Sequence, residues 1–232
     1  MKDFNGKLAV VTGGASGVGF AIGEALAKQG AKVVLTDIEQ DSLENSSALL
    51  ANQSLDVFCK VVDVSNVESM QELAHWCHAE HGPVHLLFNN AGDIPAGDIE
   101  EVSDEAIRKG FDLKVFGYIT LSRAFWKRRK GRDGVIINII GNSGENWDAA
   151  YFAGSTGNAA LMSFTKALGG RSLNHGIMII GVNPGPVATD RMLKIMKRKA
   201  IDMLDDEARW EELYDRYPGK RPATVKEVAD LC

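Results

Sequence analysis

The chain alternates short apolar runs with longer amphipathic stretches over most of its length. Six of the apolar runs are rich in β-branched residues and lack a regular apolar–polar alternation, which is typical of strands covered on both faces of a parallel sheet. These runs span residues 7–12, 32–37, 56–63, 84–90, 134–140 and 177–185. The amphipathic stretches between them predict helices at 17–29, 40–52, 66–81, 101–130 and 154–173.

This order of elements predicts the fold class. Repeated strand–helix alternation favours an α/β fold with a doubly wound parallel sheet of six or seven strands and helices on both faces, the Rossmann fold. The sequence contains no linker or low-complexity tract, so we expect a single domain over residues 1–232. Ligands of such folds bind beyond the carboxyl ends of the strands, where the strand order reverses.

The composition restricts the classes of function. A net charge of −5 gives no basic field for a nucleic-acid backbone. One basic run, KRRKGR at 127–132, falls where a helix is predicted to end, and cations there complement the helix dipole. No apolar run approaches the length of a membrane span, and the first residues lack the apolar region of a signal peptide. We therefore expect no nucleic-acid or membrane partner and a cytoplasmic location.

The cysteines and histidines do not predict a metal site. Cys59, Cys77 and Cys232 share no ligand-like spacing, which suits free thiols in a reducing compartment. His75 and His78 lie one helical turn apart, but no carboxylate or cysteine completes a recognisable ligand set. We expect no bound metal.

A glycine-rich segment, TGGASGVG at 12–19, follows the first predicted strand and opens the first predicted helix. Gly13, Gly17 and Gly19 have the spacing G-x-x-x-G-x-G, with Ser16 and Val18 between them. Such a turn lets the backbone approach a pyrophosphate, and the helix N-terminus supplies free N–H donors. In this strand–turn–helix context the pattern predicts a dinucleotide site.

The second predicted strand ends in Asp37, and Ile38 follows. A carboxylate at this place can accept hydrogen bonds from the ribose hydroxyls of adenosine and would repel a 2′-phosphate, so NAD is favoured over NADP. The sequence also allows a second interpretation, in which Asp37 only caps the helix that begins near Glu39.

Further motifs follow the later strands, namely DV at 63–64, NNAG at 89–92 and NPGPVAT at 183–189. Together with the glycine-rich segment and Asp37, they occur in the order and over the length found in the short-chain dehydrogenase/reductase family, which the chain resembles. The resemblance implies an oxidoreductase that interconverts a hydroxyl and a carbonyl group with a nicotinamide cofactor and a small-molecule substrate.

The resemblance also implies where the chain would contact the first half of the cofactor. Asp63 and Val64 would hold the adenine. Asn90, Ala91 and Gly92 would line the middle of the cofactor.

The last motif is implied to hold the nicotinamide end. Pro184, Gly185, Val187 and Thr189 would contact the nicotinamide amide and the phosphates. Residues 189–220 would then form the variable lid over the substrate. This segment mixes methionine, leucine and isoleucine with basic residues, which favours a small to medium, largely apolar substrate, although such a stripe is more often packing than pocket.

The catalytic positions of the family are all substituted. Family members usually carry an asparagine, a serine, a tyrosine and a lysine, with the lysine four residues after the tyrosine. An alignment without gaps places Lys114 at the asparagine position, Gly141 at the serine, Gly154 at the tyrosine and Asn158 at the lysine. The chain therefore resembles a divergent subgroup.

A second alignment keeps Tyr151 as the family tyrosine, with Ser155 in place of the lysine. It would place the serine equivalent at Asn138, inside a strand, and would misalign the helix that follows. We therefore prefer the alignment without gaps.

Lysine and asparagine have exchanged places between positions 114 and 158, which suggests a rearranged site. We expect Tyr151 to act as general acid/base, Lys114 to supply the charge that tunes it, Ser143 to orient the substrate and Asn158 to bind the ribose.

Two alternatives remain. Asp112 and Glu145 are candidates for a different proton path. The chain could also bind NAD(H) without turnover, as a redox sensor or a subunit of a complex.

The chain stops at EVADLC, where family members usually continue into a further helix and a seventh strand. We therefore expect this C-terminal strand to be absent. In the family the tail contributes to assembly, and the resemblance implies a homodimer or homotetramer.

Overall fold

Six parallel strands form one sheet in the computed structural model, which describes residues 4–232. The strands are β1 (Leu8–Thr12), β2 (Lys32–Asp37), β3 (Val57–Val61), β4 (Leu86–Asn89), β5 (Gly134–Ile139) and β6 (Ile177–Val182). Their order is β3-β2-β1-β4-β5-β6, so the direction of winding reverses between β1 and β4. The predicted doubly wound parallel sheet is confirmed, with six strands.

Eight α-helices accompany the sheet in this part of the chain. They are α1 (Gly17–Lys28), α2 (Gln40–Ala51), α3 (Val67–Trp76), α4 (Asp104–Phe111), α5 (Gly117–Arg129), α6 (Phe152–Gly169), α7 (Asp190–Leu204) and α8 (Val225–Leu231). The long helix predicted at 101–130 is divided, because a π-helical turn at Asp112–Phe116 joins α4 to α5. Helix α6 begins two residues before its predicted start.

The sheet is apolar on both faces because neighbouring residues of each strand point to opposite sides. Val11 and Leu35 pack with Ile22 of α1 on one face. Val10 packs with Leu121 of α5 on the other. Every residue of β1 is buried, which explains why its sequence shows no apolar–polar alternation.

Buried polar side chains fix the carboxyl ends of the central strands. The Asn89 amide donates to Asn138 Oδ1 at 2.8 Å and to Ser122 Oγ at 3.1 Å. The Asn138 amide in turn donates to Thr165 Oγ1 of α6 at 2.9 Å. These bonds join β4, β5, α5 and α6 at the edge of the sheet where the sequence motifs converge, and they satisfy the buried amide nitrogens of Asn89 and Asn138.

Candidate functional site

The glycine-rich loop between β1 and α1 depends on close backbone contacts. Gly13 has a φ of +62°, and a Cβ there would lie 2.9 Å from the Cα of Ala91. A Cβ on Gly19 would lie 2.1 Å from the carbonyl oxygen of Gly13. Helix α1 then starts at Gly17, with no acidic residue in its first turn and no side-chain cap from Ser16. Its first N–H groups are therefore free to bind an anion.

Asn90 holds this loop in place from the neighbouring strand. Its amide donates to the carbonyl oxygens of Thr12 and Gly13, each at 3.0 Å. The Thr12 hydroxyl accepts from the backbone N–H groups of Asn90 and Ala91 at 2.9 and 3.0 Å. The NNAG motif thus shapes the loop as well as the wall beside it.

A cleft of about 1370 Å³ opens beyond the carboxyl ends of the strands, along the glycine-rich loop. Most of the predicted cofactor-binding residues line it: Gly13, Ser16, Gly17, Val18, Asp37, Ile38, Asp63, Val64, Asn90, Ala91, Gly92 and Thr189. The other four lie close to these segments without lining the cleft: Gly19, Pro184, Gly185 and Val187.

Asp37 faces the glycine-rich loop. Its carboxylate accepts from the N–H of Ala15 at 3.3 Å and from the N–H of Ile38 at 2.8 Å. Helix α2 has Glu39 as its N-cap residue, without a side-chain cap. The alternative role of Asp37 as a helix cap has little support in this geometry, since its bond to the Glu39 N–H is long at 3.5 Å.

The Asp63 carboxylate accepts hydrogen bonds within its own turn. Its Oδ1 accepts from both the backbone N–H and the hydroxyl of Ser65, at 2.8 and 2.6 Å. These bonds hold the carboxylate at the wall of the cleft.

Lys114 and Asn158 meet directly. Lys114 lies in the π-helical turn between α4 and α5, and its Nζ donates to Asn158 Oδ1 at 2.8 Å. The same ammonium donates to the carbonyl oxygen of Ile140 at 2.6 Å. The amide nitrogen of Asn158 in turn donates to Ser143 Oγ at 2.7 Å.

The hydrogen bonds from Lys114 through Asn158 to Ser143 all run in one direction. The oxygen of the Asn158 amide accepts from Lys114, and the nitrogen of the same amide donates to Ser143. The Ser143 hydroxyl accepts from that nitrogen, and its own hydrogen is left for another acceptor. Gly141 lies nearby with a φ of +124°, which favours glycine, and a Cβ there would lie 2.9 Å from Asn158 Nδ2.

The Tyr151 ring fills the space beside Gly154. A Cβ on Gly154 would lie 1.9 Å from Tyr151 Cζ, so no other residue fits there with the ring in place. Tyr151 precedes helix α6 as its N-cap residue, and its ring folds back over the first turn. The carbon that bears the hydroxyl group therefore lies where the side chain of a residue at 154 would begin. The phenol is thus nearer the helix backbone than a tyrosine at 154 would place it.

Arg191 is the charged residue that the sequence analysis did not identify. Its guanidinium, in the first turn of α7, donates to the carbonyl oxygens of Gly92 and Ile94 at 2.9 and 3.2 Å. It also pairs with Asp93 at 2.7 Å. A cation in a first helical turn opposes the helix dipole, and this local conflict was the signal available in the sequence.

Arg191 also acts on the Tyr151 phenol. Burial raises the pKa of Tyr151, the neighbouring Arg191 opposes this rise, and Asp93 adds to it. The cation that lies beside the phenol is thus Arg191. The role of Lys114 in tuning Tyr151 stays a prediction, since the bonds of the Lys114 ammonium go to Ile140 and Asn158.

The ammonium of Lys114 is destabilised by its surroundings. Burial, and to a lesser degree the nearby Arg191, lowers the pKa of Lys114 to about 7. Its aliphatic stem lies against Gly92, where a Cβ would meet Lys114 Cδ at 2.7 Å. Since Gly92 lines the cleft, the lysine stem lies directly behind this part of the cleft wall.

The other predicted candidates lie outside this network. Asp112 and Glu145 are exposed, and Asp112 lines the cleft. Between residues 4 and 232, no cluster of histidine, cysteine and carboxylate side chains is suited to a metal ion. None of the helices in the same range combines the length and the apolar character that a membrane span requires.

Comparison with known proteins identifies the family. Residues 7–200 match the family described as short chain dehydrogenase. The chain is 33% identical over 192 residues to the 3-oxoacyl-(acyl-carrier-protein) reductase FabG of Escherichia coli, covering 81% of this chain and 76% of that protein.

Solved structures share the fold. The actinorhodin polyketide ketoreductase with NADPH superimposes with a TM-score of 0.91 at 25% identity, over 97% of this chain and 88% of the other. The L-sorbose reductase from Gluconobacter frateurii, complexed with NADPH and L-sorbose, superimposes with a TM-score of 0.88 at 28% identity. The match covers 99% of this chain and 89% of the other. The chain therefore belongs to the short-chain dehydrogenase family, and it is an oxidoreductase of the Rossmann fold.

Proposed function

We propose that this oxidoreductase uses NAD(H) to interconvert a hydroxyl and a carbonyl group on a small to medium, largely apolar substrate, through a rearranged active site. The observation that carries the proposal is the hydrogen-bonded chain Lys114–Asn158–Ser143. It joins the residues at the exchanged positions and leaves a hydroxyl donor at its end.

The residues along the cleft fit a dinucleotide. The close contacts at Gly13 and Gly19 make room for a pyrophosphate at the start of α1, and Asp37 is placed for the adenosine ribose. A bound nicotinamide would supply or accept the hydride. We propose NAD rather than NADP because a carboxylate at this place repels a 2′-phosphate, although both of the solved structures named above contain NADPH.

Ser143 is proposed to orient the substrate. Because its hydroxyl already accepts from Asn158, it offers its hydrogen to the substrate oxygen, whether that oxygen is a carbonyl or a hydroxyl. Asn158 is held at the same time by Lys114 and is proposed to lie near the ribose. Lys114 thereby positions both groups.

Tyr151 is proposed as the general acid/base. Since burial raises the pKa of its phenol, Tyr151 is protonated at neutral pH and ready to donate to a carbonyl oxygen. In carbonyl reduction, the carbonyl carbon would gain the hydride and the oxygen would gain the phenol proton.

The lid proposed at 189–220 packs mainly on itself. Met196 and Ala200 of α7 are buried against Leu213 and Tyr214. Arg191 attaches the beginning of this segment to the loop after β4. Since Tyr151 lies close to the helix backbone and positions 141 and 154 carry no side chain, we propose that the space above them accepts the substrate.

The assembly and the location are also proposals. We propose a homodimer or homotetramer in the cytoplasm. The three cysteines support a reducing compartment, since all of them are free thiols in the structure.

The test is to measure NADH binding by fluorescence and then turnover on a panel of ketones and alcohols. Binding with turnover of at least one carbonyl compound is the expected result. Binding without turnover of any compound would favour the alternative, a cofactor-binding protein without catalysis. If NADPH binds more tightly than NADH, the role proposed for Asp37 is wrong.

A further inference from the structure

A second cavity lies away from the cleft, between α3, β4 and α5. Its volume is about 190 Å³, and no residue lines both it and the cleft. Its apolar lining includes Val10, Met70, Leu73, Leu87, Leu121 and Phe125. An apolar cavity of roughly 150 Å³ is large enough to bind benzene. This cavity can therefore accept a ring or a short alkyl chain.

Three arginines also line this cavity, namely Arg128, Arg129 and Arg132. They belong to the basic run at 127–132, which ends α5 and continues into the following loop. The dipole of α5 accounts for exposed cations in its last turn, such as Arg128. It does not account for a buried one.

Arg129 is buried, with 7% of its surface exposed, and it lacks an ionic partner among the described residues. Its Nη2 donates to the carbonyl oxygen of Asp133. Its buried Nε has no hydrogen-bond partner among residues 4–232. A buried guanidinium without a carboxylate is costly, and an anion would offset that cost.

The pKa values of Arg129 and of a neighbouring histidine show the effect of the positive charges in this region. Burial and the neighbouring Arg132 lower the pKa of Arg129, opposed by Asp133. Burial, Arg129 and Lys7 lower the pKa of His85, which stays neutral and accepts from the N–H of Leu8. The region therefore combines a largely apolar cavity with a buried guanidinium that forms no ion pair within the described residues.

We propose that this cavity binds a small amphiphilic monocarboxylate, with its apolar tail between α3 and α5 and its carboxylate on Arg129. At roughly 30 Å³ for each small group, the cavity accepts a tail of about six carbons. The site is independent of the function proposed for the cleft.

The experiment is a titration of the NADH-loaded protein with sodium hexanoate and, separately, with hexanol, followed by the methyl NMR signals of the methionines and leucines. Loading with NADH prevents hexanoate and hexanol from binding in the cofactor cleft. We expect hexanoate to shift the signals of Met70 and Leu121 and to bind about tenfold more tightly than hexanol, because charge-assisted hydrogen bonds are roughly twice as strong as neutral ones.

Variants separate the contributions of charge and space. Arg129→Met keeps the apolar stem and should abolish the preference for hexanoate over hexanol. The matched control Lys127→Met removes a charge from the same turn of α5, outside the cavity, and should keep the preference. Ala124→Leu fills part of the cavity and should weaken both probes.

The wild-type comparison needs no variant, so the proposal can be overturned even if Arg129→Met does not fold. Equal affinities for hexanoate and hexanol would overturn it. So would shifts confined to the lid or the cleft, or an equal loss of preference in Lys127→Met and Arg129→Met.

Discussion

Lys114 Nζ donates a hydrogen bond to Asn158 Oδ1 at 2.8 Å, and the sequence predicts that these two residues stand where family members carry asparagine and lysine. With that correspondence, an ammonium and an amide stay in contact, and the ammonium comes from the π-helical turn between α4 and α5. We therefore propose a rearranged site, in which the two substitutions compensate each other.

The exchange can be reversed in the laboratory. Asn158→Lys alone places two ammonium groups together, and Lys114→Asn alone leaves the Ile140 carbonyl oxygen without its donor. We expect each single variant to lower the free energy of unfolding and the double variant to regain part of it, with a coupling of about 0.5–3 kcal/mol. Denaturant unfolding of the four proteins measures this. Effects that simply add would show that the two side chains are not coupled.

Arg191 influences two titrating groups in the same direction. It lowers the pKa of Lys114 by repulsion and opposes the rise in the pKa of Tyr151 by stabilising the phenolate. Arg191→Gln should therefore raise both pKa values. NMR titration of the lysine Cε and tyrosine Cζ signals measures them in one sample.

Arg198→Gln is the matched control, since Arg198 lies on the same helix and pairs with Asp202. It should leave the pKa values of Lys114 and Tyr151 unchanged. Opposite shifts of the two pKa values in Arg191→Gln would show that Arg191 does not act on both groups through its charge.

Gly154 is expected to be needed for the Tyr151 ring and not for the helix. Alanine at a helix position is usually about 1 kcal/mol more stable than glycine, but a Cβ here collides with Tyr151. Gly154→Ala should destabilise the wild type and reduce turnover by displacing the phenol. In a Tyr151→Ala background it should stabilise by about 1 kcal/mol. If Gly154→Ala raised the free energy of unfolding by the same amount in both backgrounds, the Tyr151 ring would not lie beside residue 154.

Asp37 is expected to set the cofactor preference. The double variant Asp37→Ser with Ile38→Arg removes the carboxylate and adds a phosphate-binding cation, so the ratio of the NADH and NADPH dissociation constants should reverse. Glu39→Gln removes a neighbouring charge outside the cleft and should leave the ratio unchanged. An unaltered ratio in the double variant would assign selectivity to other residues.

The sequence predicts the sheet and the glycine-rich loop well, for a physical reason. Strands buried on both faces must be continuously apolar, and a glycine-rich turn before a helix leaves few other structures possible. β1 with Gly13 and Gly17 illustrates both effects, since the strand is fully buried and the loop lies where predicted.

The catalytic half is less predictable because it depends on contacts between distant segments. The π-helical turn that carries Lys114 has no sequence signature, and the approach of Lys114 to Asn158 joins residues 44 positions apart. The position of Arg191 depends on how the start of α7 meets the loop after β4, 97 and 99 residues away. Only the packed structure brings these groups together.

The most direct test of the rearranged site is the rate of hydride transfer in Tyr151→Phe, measured in a single turnover with NADH and a carbonyl substrate that the wild type reduces. Removing the phenol hydroxyl should lower this rate by roughly 100-fold or more, while the dissociation constant of NADH stays unchanged. A rate within about twofold of the wild type would contradict the account, because general acid catalysis by Tyr151 would contribute at least that 100-fold factor.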